Sequence, residues 1–117
     1  MQDIIWNRAC LDFGGPSPAE GDRALAALLQ AHGRVMSGGV VHALESLSVE
    51  ELSEAIVGFR YFGLPRAAEV LAQAWDDSEE CEDRLDRMYE AAIPDDGAIE
   101  LAFRLKLTAC PSAFAPA

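Results

Sequence analysis

Ser48-Val49-Glu50-Glu51-Leu52-Ser53-Glu54-Ala55-Ile56-Val57-Gly58-Phe59-Arg60 decides how this chain is read. Its first four residues spell a capping box. The Ser48 hydroxyl can accept the backbone N–H of Glu51, and the Glu51 carboxylate can reach back to the N–H of Ser48. From that start, Val49, Leu52, Ile56 and Phe59 form an apolar stripe at helical period. A helix therefore begins at residue 49, and Gly63-Leu64-Pro65 ends it. Pro65 suits the first turn of a further helix, which has no use for its missing N–H. That helix is expected to run to about Trp75, with Ala68, Leu71, Ala72 and Trp75 turned inward.

Working outward, Ser37-Gly38-Gly39 is a break followed by the short apolar segment Val40-Val41-His42-Ala43-Leu44. Before it, Asp22 reads as the N-cap of a helix through Ala31 that carries Leu25, Leu28 and Leu29, closed by His32-Gly33. Gly14-Gly15-Pro16-Ser17-Pro18 interrupts any regular element. Residues 1–13 are a short helix or an arm with Ile4, Ile5, Cys10 and Leu11 as its apolar content.

Toward the C-terminus, Ser78 caps a two-faced helix. Cys81, Leu85, Met88, Tyr89 and Ala92 lie on one side, and Glu79, Glu82, Asp83, Asp86 and Glu90 on the other. Carboxylates in its first turn suit the positive end of the helix dipole. Ile93-Pro94-Asp95-Asp96-Gly97 is a turn, with Asp95 or Asp96 capping the last element. In that element Ile99, Leu101, Phe103, Leu105 and Leu107 alternate as a strand would, but the surrounding residue types favour helix and no partner strand is evident. The segment is read as a largely buried helix. The whole is an all-α, single compact domain of five or six helices. It comprises an N-terminal arm or short helix plus loop over 1–21, a helical core over 22–110 and an irregular tail over 111–117.

Composition narrows the partners. The chain has 117 residues and a net charge of −11, so it is long enough for one apolar core without metal or disulfide staples. Eleven Asp or Glu stand between Asp76 and Glu100 against only Arg84 and Arg87. Such a surface repels nucleic acid and anionic membrane and attracts basic surfaces. No run of about 18 apolar residues suggests a membrane span, and the N-terminus lacks a signal-peptide layout. A cytoplasmic protein is expected. Cys10, Cys81 and Cys110 are too widely spaced for a zinc site and are read as small buried or half-buried hydrophobes.

No motif supplies a nucleophile paired with a base, so no catalytic residue, metal site or cofactor is assigned. Asp76-Asp77-Ser78-Glu79-Glu80 lacks the alternating ligands and central glycine of a calcium loop. Ser37-Gly38-Gly39 lacks the flanking glycine of a nucleophile elbow. His32 and His42 fit no metal or triad pattern and are read as capping or surface residues. Two functional readings remain. In the first, the protein is non-enzymatic, and Glu79, Glu82, Asp83, Asp86, Glu90, Asp95 and Asp96 imitate a row of phosphates and bind a basic protein. That partner is a DNA-binding regulator or a toxin that the chain neutralises. In the second, Gly38, Gly39, His42, Arg60 and Tyr61 line a pocket for a small molecule or peptide.

Three segments also resemble a known family: His32-Gly33-Arg34-Val35-Met36-Ser37-Gly38-Gly39, Ala55 through Leu64, and Ala67-Ala68-Glu69-Val70-Leu71. Together with the pattern from Asp95-Asp96 through Phe103 to Phe114-Ala115-Pro116, they look like a bacterial all-α domain family that includes a DNA-mimic protein. Ser37 stands where that family usually has Asn. The resemblance covers roughly residues 22–116. It implies an all-α fold and, for one branch, binding to a transcription factor in place of DNA.

Overall fold

Helix α4 (Val49–Tyr61) starts as its sequence dictates. Glu51 N–H donates to Ser48 Oγ at 3.0 Å, and Ser48 N–H donates to the Glu51 carboxylate at 2.9 Å. Around it the computed structural model, which describes residues 2–116, places six further α-helices: α1 (Gln2–Asp12), α2 (Glu20–Gly38), α3 (Val40–Ser46), α5 (Pro65–Leu71), α6 (Glu79–Ala92) and α7 (Asp96–Ala109). A 3-10 turn, Pro111–Ala113, comes after α7. The described residues are thus all-helical, with seven α-helices where five or six were expected. The extra one comes from residues 40–46, whose apolar run is long enough for two turns once its end is capped from outside.

The pair α2 and α4 forms the centre, with α1 and α3 against α2 and α5 bridging α4 to α6. Gly58 allows the central pair to close: a Cβ there would stand 2.6 Å from the Ala24 carbonyl oxygen. Leu25, Leu28, Phe59, Leu71, Leu85 and Phe103 fill the core. Trp6 of α1 leans on Phe103 with ring centroids 5.5 Å apart.

Several expectations are corrected. Helix α2 does not stop at His32-Gly33 but runs to Gly38. Gly33 faces open space, and its cost of about 1 kcal/mol in a helix is offset by the buried Ala31, His32 and Val35 around it. Asp22 is not the N-cap. Ala19 holds that place, and Asp22, three residues in, accepts its N–H at 3.0 Å. Helix α5 ends at Leu71, leaving Trp75 outside it and exposed, because the chain must turn there into α6. Val49 is exposed at the first position of α4, and Met88 is exposed on the flank of α6. Helix α7 is only one-sided: Ile99 and Phe103 are buried, but Leu101 and Leu105 fall on the opposite side and are exposed. Cys81 is buried, whereas Cys10 and Cys110 are exposed.

Candidate functional site

Helix α6 presents its carboxylates because its other face is committed to the core. Cys81, Leu85 and Tyr89 recur every fourth residue and are buried, which turns Glu79, Glu82, Asp83, Asp86 and Glu90 to the surface. Ser78 fixes the start by accepting Cys81 N–H at 3.1 Å. Just before it, Asp76 accepts Ser78 N–H at 2.8 Å, and its hydrogen bonds from Ser78 hold its carboxyl below the usual range. The two arginines of α6 leave these acids unpaired. Arg87 donates to the Asp83 backbone carbonyl at 3.2 Å, and no ion pair among the described residues includes an α6 carboxylate.

Tertiary packing enlarges this row. Helix α3 lies against α6, and Asp86 Oδ1 accepts the N–H of Val40, the first residue of α3, at 2.8 Å. Gly39, at φ +92°, brings the chain into α3 directly beneath that carboxylate. Glu45 of α3 then comes within hydrogen-bonding reach of Asp77. The Asp77 contact first, then desolvation by burial, then the negative charges of Asp77 and Glu82 raise the Glu45 carboxyl above its ordinary range, while His42 opposes them. A face made of α6 and the edge of α3 therefore carries Glu45 and Asp77 beside the acids expected from sequence. Sequence reasoning missed Glu45, which is remote along the chain, and no local pattern announces it.

The remaining expected acids are exposed but have structural duties. Asp95 accepts Ala98 N–H at 3.2 Å and caps α7. Asp96 accepts from His32 Nε2 at 2.7 Å. His32 is thus neither a surface residue nor a cap. It is buried in α2, and its Nδ1 lies 2.8 Å from the Tyr89 hydroxyl. Burial pushes the Tyr89 phenol far above its usual range, so it stays protonated and donates to Nδ1, leaving Nε2–H for Asp96. The Tyr89 hydroxyl sits in packed interior, so this relay ties α2, α6 and α7 together and offers no reacting atom to solvent.

Of the five residues of the second reading, Tyr61 lines open grooves and the other four do not join it there. Gly38 lies under the His42 ring at the α2–α3 junction. Tyr61 lines two open grooves elsewhere. One, of about 500 Å³, lies between α2 and α4 with Phe13, Ala24, Val57 and Glu54. The other, of about 530 Å³, is bounded by Phe62, Leu101, Leu105 and Lys106, whose ammonium stands 4.3 Å from the Tyr61 ring centroid. Gly38, Gly39, His42 and Arg60 line neither groove. Among the described residues no three His, Cys, Asp or Glu are placed to hold a metal ion, and no helix is long and apolar enough to cross a membrane.

Residues 18–107, from just before α2 to near the end of α7, match the family described as DMP19-like protein. The chain belongs to the DMP19-like protein family. The match agrees with the resemblance drawn from the segments around Gly38-Gly39 and Ala55 to Leu71. Comparison of this DMP19-like chain with curated proteins and with solved structures gives no match. The acidic face lies wholly inside the matched span, whereas α1 and the C-terminal segment after Ala109 lie outside it.

Proposed function

We propose that this DMP19-like chain is a non-enzymatic interaction protein whose α6–α3 face binds a basic protein in place of DNA, on the DNA-binding surface of a transcription regulator. The observation that carries the reading is the unpaired row of carboxylates on α6. Five of them between Glu79 and Glu90 occupy roughly 16 Å of helix at 1.5 Å per residue. That density, about one charge per 3–4 Å, is close to the ~3.4 Å per phosphate along one DNA strand. Glu45 and Asp77 widen the row, and membership of a family that includes a DNA mimic supports it.

The test begins with capture of basic proteins on the purified chain, then affinity measurements on the purified partner. Binding weakens by an order of magnitude or more between about 50 and 200 mM salt. Glu79→Lys, Glu82→Lys and Asp83→Lys together abolish it without unfolding the protein, because none of the three makes a side-chain hydrogen bond or ion pair among the described residues. The partner's own DNA site competes. A folded triple variant with undiminished affinity removes the acidic face from the interaction. Failure of DNA to compete shows a basic partner of another kind, such as a toxin.

A further inference from the structure

The stretch that follows α7 is held as a ligand is held. After the 3-10 turn Pro111–Ala113 the backbone extends, with Phe114 at φ −115° and ψ 142°. Its backbone is read by two charged side chains from different helices. Asp22 of α2, fully buried, accepts Ala115 N–H at 2.7 Å. Arg8 of α1 donates to the Ala115 carbonyl at 2.9 Å and the Pro116 carbonyl at 2.7 Å, and pairs with Asp22 at 3.1 Å. Arg8 Nε is buried without a hydrogen-bond partner among the described residues.

One side chain is read as well. Phe114 is buried edge-on against Phe103, with centroids 5.6 Å apart, and lies 6.4 Å from Phe62. Gly21 makes room: a Cβ there would stand 2.8 Å from both the Ala113 carbonyl oxygen and the Phe114 ring. No other described side chain of the segment is buried; Pro111, Ser112 and Pro116 are exposed, and Ala113 and Ala115 are half-buried. The attachment is therefore one aromatic ring and a few charge-assisted backbone hydrogen bonds. A tether supplies a local concentration on the order of millimolar, so even a modest intrinsic affinity keeps the segment in place.

We propose that this bed is a peptide-recognition seat, occupied in the free protein by the chain's own tail. The partner it fits is an extended segment with an aromatic side chain, then a small residue with a free N–H, its carbonyl and the next one meeting Arg8. A proline directly after the aromatic residue is rejected, because Asp22 would lose its donor. The seat uses none of the α6 carboxylates and is independent of the DNA-mimic reading.

The test uses a fluorescent heptapeptide of the tail's own sequence, Pro-Ser-Ala-Phe-Ala-Pro-Ala, titrated into wild-type protein and into full-length Phe114→Ala. In that variant the tail loses its anchor and the seat is vacated. The variant binds the peptide at least about tenfold more tightly than wild type, whose tethered tail competes. Peptides with alanine in place of phenylalanine, or proline directly after it, bind neither protein, and adding Gly21→Ala to the variant abolishes binding. A folded Phe114→Ala protein that binds the peptide no better than wild type overturns the proposal. So does a Phe114→Ala chain that cannot fold, since the tail would then be core rather than ligand.

Discussion

Glu45 is exposed and Glu51 half-buried, both near helix ends, and their surroundings push them in opposite directions. The Ser48 backbone N–H, then Gln30 and the Ser48 hydroxyl, hold Glu51 below its ordinary value of 4.5. Its contribution to stability is therefore present above that value and lost as the pH falls through its lowered folded one. Glu45 is raised by Asp77, so its contribution is present below 4.5 and lost as the pH rises through its raised folded value. At neutral pH the Glu45–Asp77 contact is thus a liability. Glu45→Gln raises the thermal midpoint near pH 7, and the gain shrinks toward zero as the pH is lowered past 4.5. An equal gain at both ends of the titration would place the effect in packing rather than charge. Tyr89→Phe removes the donor to the buried His32 Nδ1 and costs about 1–2 kcal/mol, read as a lower urea midpoint. An unchanged midpoint would show that this hydrogen bond contributes nothing net.

At the scale of elements, the helices obey their caps better than their glycines. Ser48, Ser78 and Asp95 each start a helix where the sequence places them. Gly33 does not end one, because an exposed glycine costs less than exposing the apolar residues on both sides of it. Gly58 matters for a different reason, the approach of α4 to the α2 backbone. Gly58→Ala is expected to destabilise by about 1–3 kcal/mol, since a carbonyl oxygen, unlike a flexible side-chain end, cannot step aside. Denaturant unfolding checks this. A midpoint at or above wild type would mean that α2 and α4 can part without loss, contrary to their central place in the core. Helix α7 shows how alternation misleads: period two on a helix sends successive members of the apolar series to opposite sides, burying Ile99 and Phe103 and exposing Leu101 and Leu105.

At the scale of the whole molecule, a net charge of −11 on 117 residues repels itself in the folded state. Added sodium chloride screens that repulsion, so the thermal midpoint rises with salt over the range where the Debye length falls to about 8 Å and below. The three-lysine variant of α6 flattens that rise, because it removes charge where it is densest. A midpoint that falls with salt in wild type would show that favourable ion pairs outweigh repulsion. Few are available: Arg8–Asp22 and the exposed Arg104–Glu100 are the ion pairs among the described residues, and His32–Asp96 is a hydrogen bond from a neutral imidazole. The same surface charge that costs stability is what would draw a basic partner in, and both effects weaken together as salt is added.

The sequence by itself determined the all-helical class, the starts of α4, α6 and α7, and the outward set of acids on α6. Each of these depends on residues within a turn or two of one another, where capping hydrogen bonds and the 3.6-residue period act directly. Only the tertiary structure decided that Glu45 joins the acidic face, that Asp86 caps α3, that His32 is buried between Tyr89 and Asp96, and that Arg8 and Asp22 grip the tail. Those contacts link residues far apart along the chain. A charged or polar side chain carries no local mark of the partner it will meet, because that partner is set by which helices the apolar core brings side by side.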